Sequence, residues 1–370
     1  MTEGECMGKS QEWKLALDQY IRQGDPGLAE KSAAWQIAIG LQDVDGLKIS
    51  EYLLKIAKEH IEGRIDMNAA KTRIQTYYEK RKGHHTDAEE RTREADLVSL
   101  HIVELLGEKT FQLSPAFYIN IHKRLFTGVF PHAGRLRSYN ITKDEWILNG
   151  KTVYYASYNE IQAALDYDFS QEKQFPYETV SVADAMKHIA AFTSGIWQIH
   201  PFGEGNTRTT AIFVIQYLKA FGLRVNSDVF AEHSWYFRNA LVRSNYNDFQ
   251  LGIHATTKYL EQFFENLLMN VNHELKNRYL RVDYRDDRMI QSENVESSKC
   301  IDNILNCTLE EMAVMKVIEE NPRITQKALS AALGKSERTI KIRMGTLKEK
   351  GLIQRKNGKR NGDWEILIRS

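Results

Sequence analysis

The chain has 370 residues, of which 42% are hydrophobic and 10% aromatic, enough for a sizeable core and for two or three domains. Fifty Lys and Arg against 49 Asp and Glu leave a formal charge of +1, so any charged surface has to be local. Three cysteines without metal-like spacing argue against a disulfide framework, the first residues lack a basic start and an apolar run, and no apolar stretch approaches the roughly 20 residues of a membrane helix. The expectation is a cytoplasmic protein with no membrane partner.

Residues 11–80 contain short helical runs. Leu15 to Leu17 with Tyr20 and Ile21 begin one that ends near Gly24-Asp-Pro-Gly27, and residues 33–41 begin another. Asp45-Gly46 breaks the pattern, residues 49–57 open an amphipathic helix, Glu62-Gly63 breaks it again, and residues 69–78 follow as a helix. Residues 79–97 are rich in charge, which reads as a solvated helix face or a flexible link. Ser114-Pro115 fits an N-cap followed by Pro at the first helical position, and Phe117, Ile121 and Leu125 then line one stripe.

Residues 130–158 change character. Asn149-Gly150 separates Trp146-Ile-Leu148 from Thr152-Val-Tyr-Tyr155, a strong local signal for a β-hairpin. Arg135 and Arg137, just upstream, read as structural rather than nucleotide contacts. Ile161, Leu165 and Phe169 are in phase for one more helix.

Val182, Ala185, Ile189, Phe192 and Ile196 predict a buried helix over 181–198, and residues 211–218 predict a second, stopped near Gly222. Between them stands His200-Pro-Phe-Gly-Glu-Gly-Asn-Thr-Arg208. Pro201 fits a loop, so the stretch leads from one helix into the N-terminus of the next, where free N–H groups and the helix dipole attract anions. Gly205 lets backbone approach a phosphate, Arg208 offers a charged fork, Glu204 could hold magnesium, and His200 could serve as a general base. Phe202 reads as a wedge under the loop. Base, carboxylate, anion cradle and cation together point to phosphoryl or nucleotidyl transfer.

Beyond the motif, His233, Trp235 and Tyr236 read as packing or as a wall for a flat base. Residues 256–283 predict one long helix with Tyr259, Phe263, Leu267 and Val271 on a face. After a polar link, Thr308-Leu-Glu-Glu311 is a capping box, residues 324–333 a second helix, and Ser336 caps a third that ends at Gly351. Leu352-Ile-Gln-Arg and Trp364-Glu-Ile-Leu-Ile368 flank the basic hairpin at residues 356–362. Three helices and a two-stranded wing resemble a winged helix-turn-helix domain. Its third helix would enter the major groove with Arg338, Thr339 and Arg343 nearest the bases, and Lys356, Lys359 and Arg360 in the wing would contact phosphates. A protein-binding winged helix is the other reading.

The motif resembles the signature of the Fic family, His-Pro-Phe-x-(Asp/Glu)-Gly-Asn-x-Arg-x-x-Arg, at His200, Pro201, Phe202, Glu204, Gly205, Asn206 and Arg208. Two positions depart from it: Thr207 stands where Gly is common, and Ala211 replaces the second arginine. The resemblance covers roughly residues 98–275. It implies a mainly α fold with a helical core and a β-hairpin flap, and transfer of AMP from ATP, with Mg2+, to a Ser, Thr or Tyr hydroxyl of a target protein. His200 would be the base and Glu204 the metal ligand, with Gly203, Glu204, Gly205, Asn206, Thr207 and Arg208 around the nucleotide. The flap residues Ile147, Leu148, Asn149 and Gly150 would dock the target by strand addition. The N-terminal region is similar to the small antitoxin module that inhibits some members through a Ser/Thr-x-x-x-Glu-Gly glutamate, but Asp45-Gly46 and Glu62-Gly63 match that pattern only in part. The expected division is a helical and regulatory segment at 1–97, a Fic-like core at 98–283, a linker at 284–298 and a winged helix at 299–370. Expected partners are a target protein and DNA, with a homodimer open. The competing reading is a DNA-binding regulator whose Fic-like core binds a nucleotide but does little chemistry.

Overall fold

Helix starts in this chain are fixed largely by side-chain caps. The structure, a computed structural model, describes residues 3–81, 86–284, 306–356 and 362–367. Its first helices are α1 (Glu3–Arg22), α2 (Pro26–Gly40), α3 (Glu51–Ile61) and α4 (Met67–Glu79). Asp25, Ser50 and Asp66 cap α2, α3 and α4 through their side-chain oxygens. A short 3-10 turn, Leu41–Asp45, continues α2 and stops at Gly46 in the left-handed region.

Thr86 and Glu89 form a capping box that opens α5 (Asp87–Leu106). The charge-rich stretch is thus half of a 20-residue helix, and that helix runs through the expected boundary at 97/98. Then come α6 (Pro115–Phe126), α7 (Ile161–Gln174), α8 (Val182–Ile199), α9 (Asn206–Ala220), α10 (Ser227–Ser244) and α11 (Lys258–Met269). Every residue of α9 from Asn206 to Leu218 is buried, so this helix is the axis around which the others pack.

Two expected elements differ. The long helix over 256–283 ends at Asn270, which takes the left-handed conformation while Asn266 bonds the backbone of His273 on both sides. A single 3-10 turn, Asn277–Leu280, follows. The segment expected as a β-hairpin does reverse at Asn149-Gly150, both at positive φ, but its first leg is a 3-10 turn at Trp146–Leu148 rather than a strand. Burial decides this: Ile147 and Leu148 are fully buried, and turning the chain sends both inward where a flat strand would put one outside.

The C-terminal domain is α12 (Leu309–Glu320), α13 (Gln326–Leu333), α14 (Glu337–Glu349) and a two-stranded antiparallel wing, β1 (Ile353–Arg355) with β2 (Trp364–Ile366). The caps at Thr308 and Ser336 and the stop at Gly351 sit where the sequence puts them, and the helix expected from 324 starts at Gln326 with Thr325 as its cap. The expected linker lies, except for Tyr284, outside the described residues, as do Lys359 and Arg360. This domain is docked on the core: the Val182 N–H donates to the Cys307 carbonyl at 2.6 Å, Lys316 reaches the Leu268 carbonyl at the end of α11, and Arg224 pairs with Glu320. At the other end, α2 meets α10 so closely that a Cβ on Gly40 would fall 2.4 Å from the Ala231 Cα. No helix among the described residues is long and apolar enough to cross a membrane.

Candidate active site

Helix α8 delivers His200 and α9 receives the loop that follows. His200 ends α8 in the left-handed conformation, unusual for a residue with a Cβ. Its ring Nδ1 lies 3.3 Å from the Trp197 carbonyl, which can only accept, so Nδ1 carries the proton. Nε2 is then a bare lone pair, buried and without a partner. Burial, with Lys143 nearby, holds the imidazole pKa well below its ordinary value. The Tyr155 ring packs against it at 4.3 Å. The result is a neutral, oriented imidazole whose only open function is to accept a proton.

The loop itself is braced from three sides. Asn206 turns its side chain back, accepting from the Phe202 N–H and donating to the Phe202 carbonyl. Arg137 is buried and clamps carbonyls, including those of His200, Tyr139 and Ala156, so its structural reading agrees with its contacts. Phe202 is fully buried as the expected wedge. It stacks on His122 at 3.7 Å. His122 accepts the Gly134 N–H on Nδ1, so its Nε2–H donates to the Glu204 carbonyl at 3.1 Å. The sequence reading missed His122, which lies one position beyond the apolar stripe through Ile121; its spacing carried no signal of its contact with a loop 82 residues away.

The remaining motif residues divide. Glu204 is exposed beside the first turn of α9. Gly203 lies under Tyr139, whose hydroxyl is 2.8 Å from where a Cβ would stand. Gly205 has φ +75°, and a Cβ there would fall 2.3 Å from the Phe126 ring, so this glycine is required by packing as well as by conformation. It leaves α9 without a side-chain cap, unlike α8, which Ser181 caps. The first N–H groups of α9 therefore remain for an anion. Thr207 is turned inward, its hydroxyl accepting from the Trp197 indole at 2.9 Å, and Ala211 is fully buried within α9.

Arg208 is placed differently from a free phosphate fork. It is almost completely buried and held by the N-terminal helices: Glu94 of α5 at 2.6 Å, Asp45 at 2.8 Å from Nε, and the Gln42 amide oxygen at 3.2 Å. Its guanidinium covers the Phe126 ring. Asp45 belongs to the partial Asp45-Gly46 match in the 3-10 turn, whereas Glu62 of the second match engages Tyr20 and Arg64. Tyr236 is buried against Phe263 and is packing.

In the winged helix, Arg338 is exposed, Thr339 bonds Ser336 at the helix cap, and Arg343 turns back to Glu310 of α12 together with Lys335. Lys356 pairs with Glu365 across the wing. Lys341 is exposed beside Arg338.

The site is a buried, neutral histidine beside an uncapped helix terminus in a helical core, and comparison with known proteins shows which families its segments match. Residues 112–218 match the model of the Fic/DOC family, and residues 311–354 match that of the winged helix-turn-helix DNA-binding family. The two matched segments follow one another in the order Fic/DOC, then winged helix-turn-helix. A relative among characterised proteins is the protein adenylyltransferase VbhT of Bartonella schoenbuchensis, 24% identical over 160 residues. The match covers 43% of this chain but only 32% of VbhT, so the chain spans about a third of that relative's length. Among solved structures, a Fic family protein from Desulfovibrio desulfuricans is similar over the whole chain and 98% of its own, with 12% identity and a TM-score of 0.43. BepC from Bartonella tribocorum, with bound AMPPNP, is similar over 50% of this chain and 90% of its own, with 19% identity and a TM-score of 0.40.

Proposed function

We propose that the chain transfers AMP from ATP to a hydroxyl of a target protein, and that its winged helix binds DNA. The observation that carries the reading is His200: a buried imidazole with Nδ1 tied to a carbonyl and Nε2 open, next to an uncapped helix N-terminus. The acceptor hydroxyl gives its proton to Nε2 while its oxygen bonds to the α-phosphorus, and the bond from that phosphorus to the departing pyrophosphate breaks. The first N–H groups of α9 face the charge on the phosphates. Glu204 is the residue that would hold magnesium; it is exposed, and this ion commonly takes one or two carboxylates, phosphate oxygens and waters. A bound magnesium ion supplies charge neutralisation on those phosphates. The relative VbhT, a protein adenylyltransferase, supports the choice of AMP over phosphate.

The N-terminal helices act on this site through Arg208. Held by Asp45, Glu94 and Gln42, it does not point its charge at an incoming phosphate, so a shift of these helices would change what α9 offers the nucleotide. Exposed Arg338 and Lys341 on α14 support DNA contact.

The test is ATP labelled at the α- or the γ-phosphate, with magnesium and a cell lysate, for the parent and His200→Ala. Alpha label on protein that disappears in His200→Ala is the expected result. Gamma label alone would replace the reading with phosphoryl transfer, and no dependence on His200 would refute it.

A further inference from the structure

Two residues on the exposed face of α14 weaken that helix, and nothing inside the protein accounts for them. Gly345 sits mid-helix, where glycine is a poor helix former, yet a Cβ there would meet no atom within 4 Å. Gly40 in α2 and Gly195 in α8 differ: a Cβ would fall 2.4 Å from the Ala231 Cα in the first case and 3.0 Å from the Asp168 carboxylate in the second. Ile342, β-branched and 54% exposed, stands three residues before Gly345.

Arg338, Lys341, Ile342 and Gly345 follow one another at i, i+3, i+4 and i+7, so they share one face, while Ile340, Met344 and Leu347 are buried on the other. Thr339 and Arg343 fall on the flank turned to the core. They line the seam around Phe221, and the Arg343 Nε lies 2.8 Å from Glu310. Other cations of the domain are committed inside it: Lys335 to Glu310, Lys350 to Glu311, Lys356 to Glu365, and Lys348 over the Trp364 ring at 4.9 Å. Arg338 and Lys341 have no partner among the described residues, and the two carboxylates of α14, Glu337 and Glu349, lie at its ends.

A positive face with one apolar side chain, and no side chain at all beside it, fits the major groove of duplex DNA. The groove is lined by phosphates, and each thymine puts a 5-methyl group on its floor. A protein groove would ask for a continuous apolar stripe, whereas the neighbours of Ile342 on this face are two cations and a glycine. We infer that α14 reads a thymine through the Ile342 side chain, and that Gly345 lets the helix backbone come close enough to the groove floor for that contact. The inference rests on the proposed DNA binding and adds which face enters the groove and which base it reads.

The full chain first selects duplexes from a random-sequence pool, and each thymine of a selected duplex is then replaced by deoxyuridine, which removes only the 5-methyl. One such replacement should weaken binding by the parent about fourfold, the worth of one buried methyl, and should cost Ile342→Ala nothing. Gly345→Ala should melt at or above the parent temperature, since alanine favours helix and its Cβ meets no protein atom, yet bind the selected duplex about tenfold more weakly. A merely structural glycine would give the reverse, a lower melt with unchanged affinity. Equal affinity for every deoxyuridine duplex, a penalty that persists in Ile342→Ala, or Gly345→Ala binding as the parent does overturns the inference and leaves DNA binding intact. If the pool yields no bound duplex, DNA binding itself fails and the inference with it, and a protein-binding winged helix takes its place.

Discussion

At the residue scale the two histidines of the site do opposite jobs by the same physics. Burial disfavours the charged imidazole in both, but His200 keeps Nε2 open while His122 has both nitrogens bonded. Because burial lowers the His200 pKa, the acid limb of the proposed transfer reaction should lie below pH 6.5, and a pH–rate profile checks it. His122 is held down to about 4 by burial, with the Glu204 carbonyl pulling the other way. Its native pKa lies below its unfolded value, so the unfolded state binds the proton first as pH falls. The stability it protects is fully present above about pH 6.5 and is lost progressively down to about pH 4. Between pH 7 and 5 this is about 2 kcal/mol. Urea melts at both values, compared for the parent and His122→Gln, should show a steeper loss in the parent.

At the scale of elements, the tie between α9 and the N-terminal helices is lopsided. Arg208 has 2% of its side chain exposed, Glu94 19% and Asp45 38%. Removing the cation leaves carboxylates that water can reach; removing the carboxylates leaves a buried cation with only Gln42 and the Phe126 face. Asp45→Asn/Glu94→Gln should therefore destabilise by about 3 kcal/mol, more than Arg208→Met, as read by denaturant melts. A larger loss from Arg208→Met would mean that the guanidinium matters for its packing on Phe126. The same tie explains why a charged stretch read as solvated is partly inside: Glu94 faces its partner across 114 residues, which no local pattern reveals.

At the scale of the whole molecule, the N-terminal helices and the winged helix are both packed on the core. Gly40 touches the backbone of α10, so the N-terminal helices are not a lid that can be cut away; point changes at Asp45 test regulation where truncation would expose the core. The winged helix rests on the far ends of α8 and α9, through Cys307 on Val182 and through the Phe221 side chain beside Ala313 and Leu333. Its outward face keeps Arg338 and Lys341 free of the core while Arg343 is spent on Glu310. Arg338→Ala/Lys341→Ala should weaken DNA binding and reduce its salt slope by about 1 for each phosphate no longer neutralised, whereas Arg343→Ala should first lower stability. Gel-shift titration at several salt concentrations separates the two.

Local rules carried much of this protein. The caps at Ser114, Thr308, Thr325 and Ser336, the stops at Gly334 and Gly351, and the apolar periods of α8 and the winged helix follow from neighbours within four residues, and the motif loop is equally local, since a helix, the motif residues and the next helix are contiguous. Tertiary structure decided whatever depends on partners remote in the chain. It sent Arg208 to Asp45 and Glu94, put His122 beneath Glu204, turned Thr207 toward Trp197 and buried Ile147 and Leu148, which made a turn of the expected hairpin. Spacing in sequence tells which face of an element is apolar, but which charge a buried cation meets, and which side of a loop water reaches, is set only when distant elements close over it.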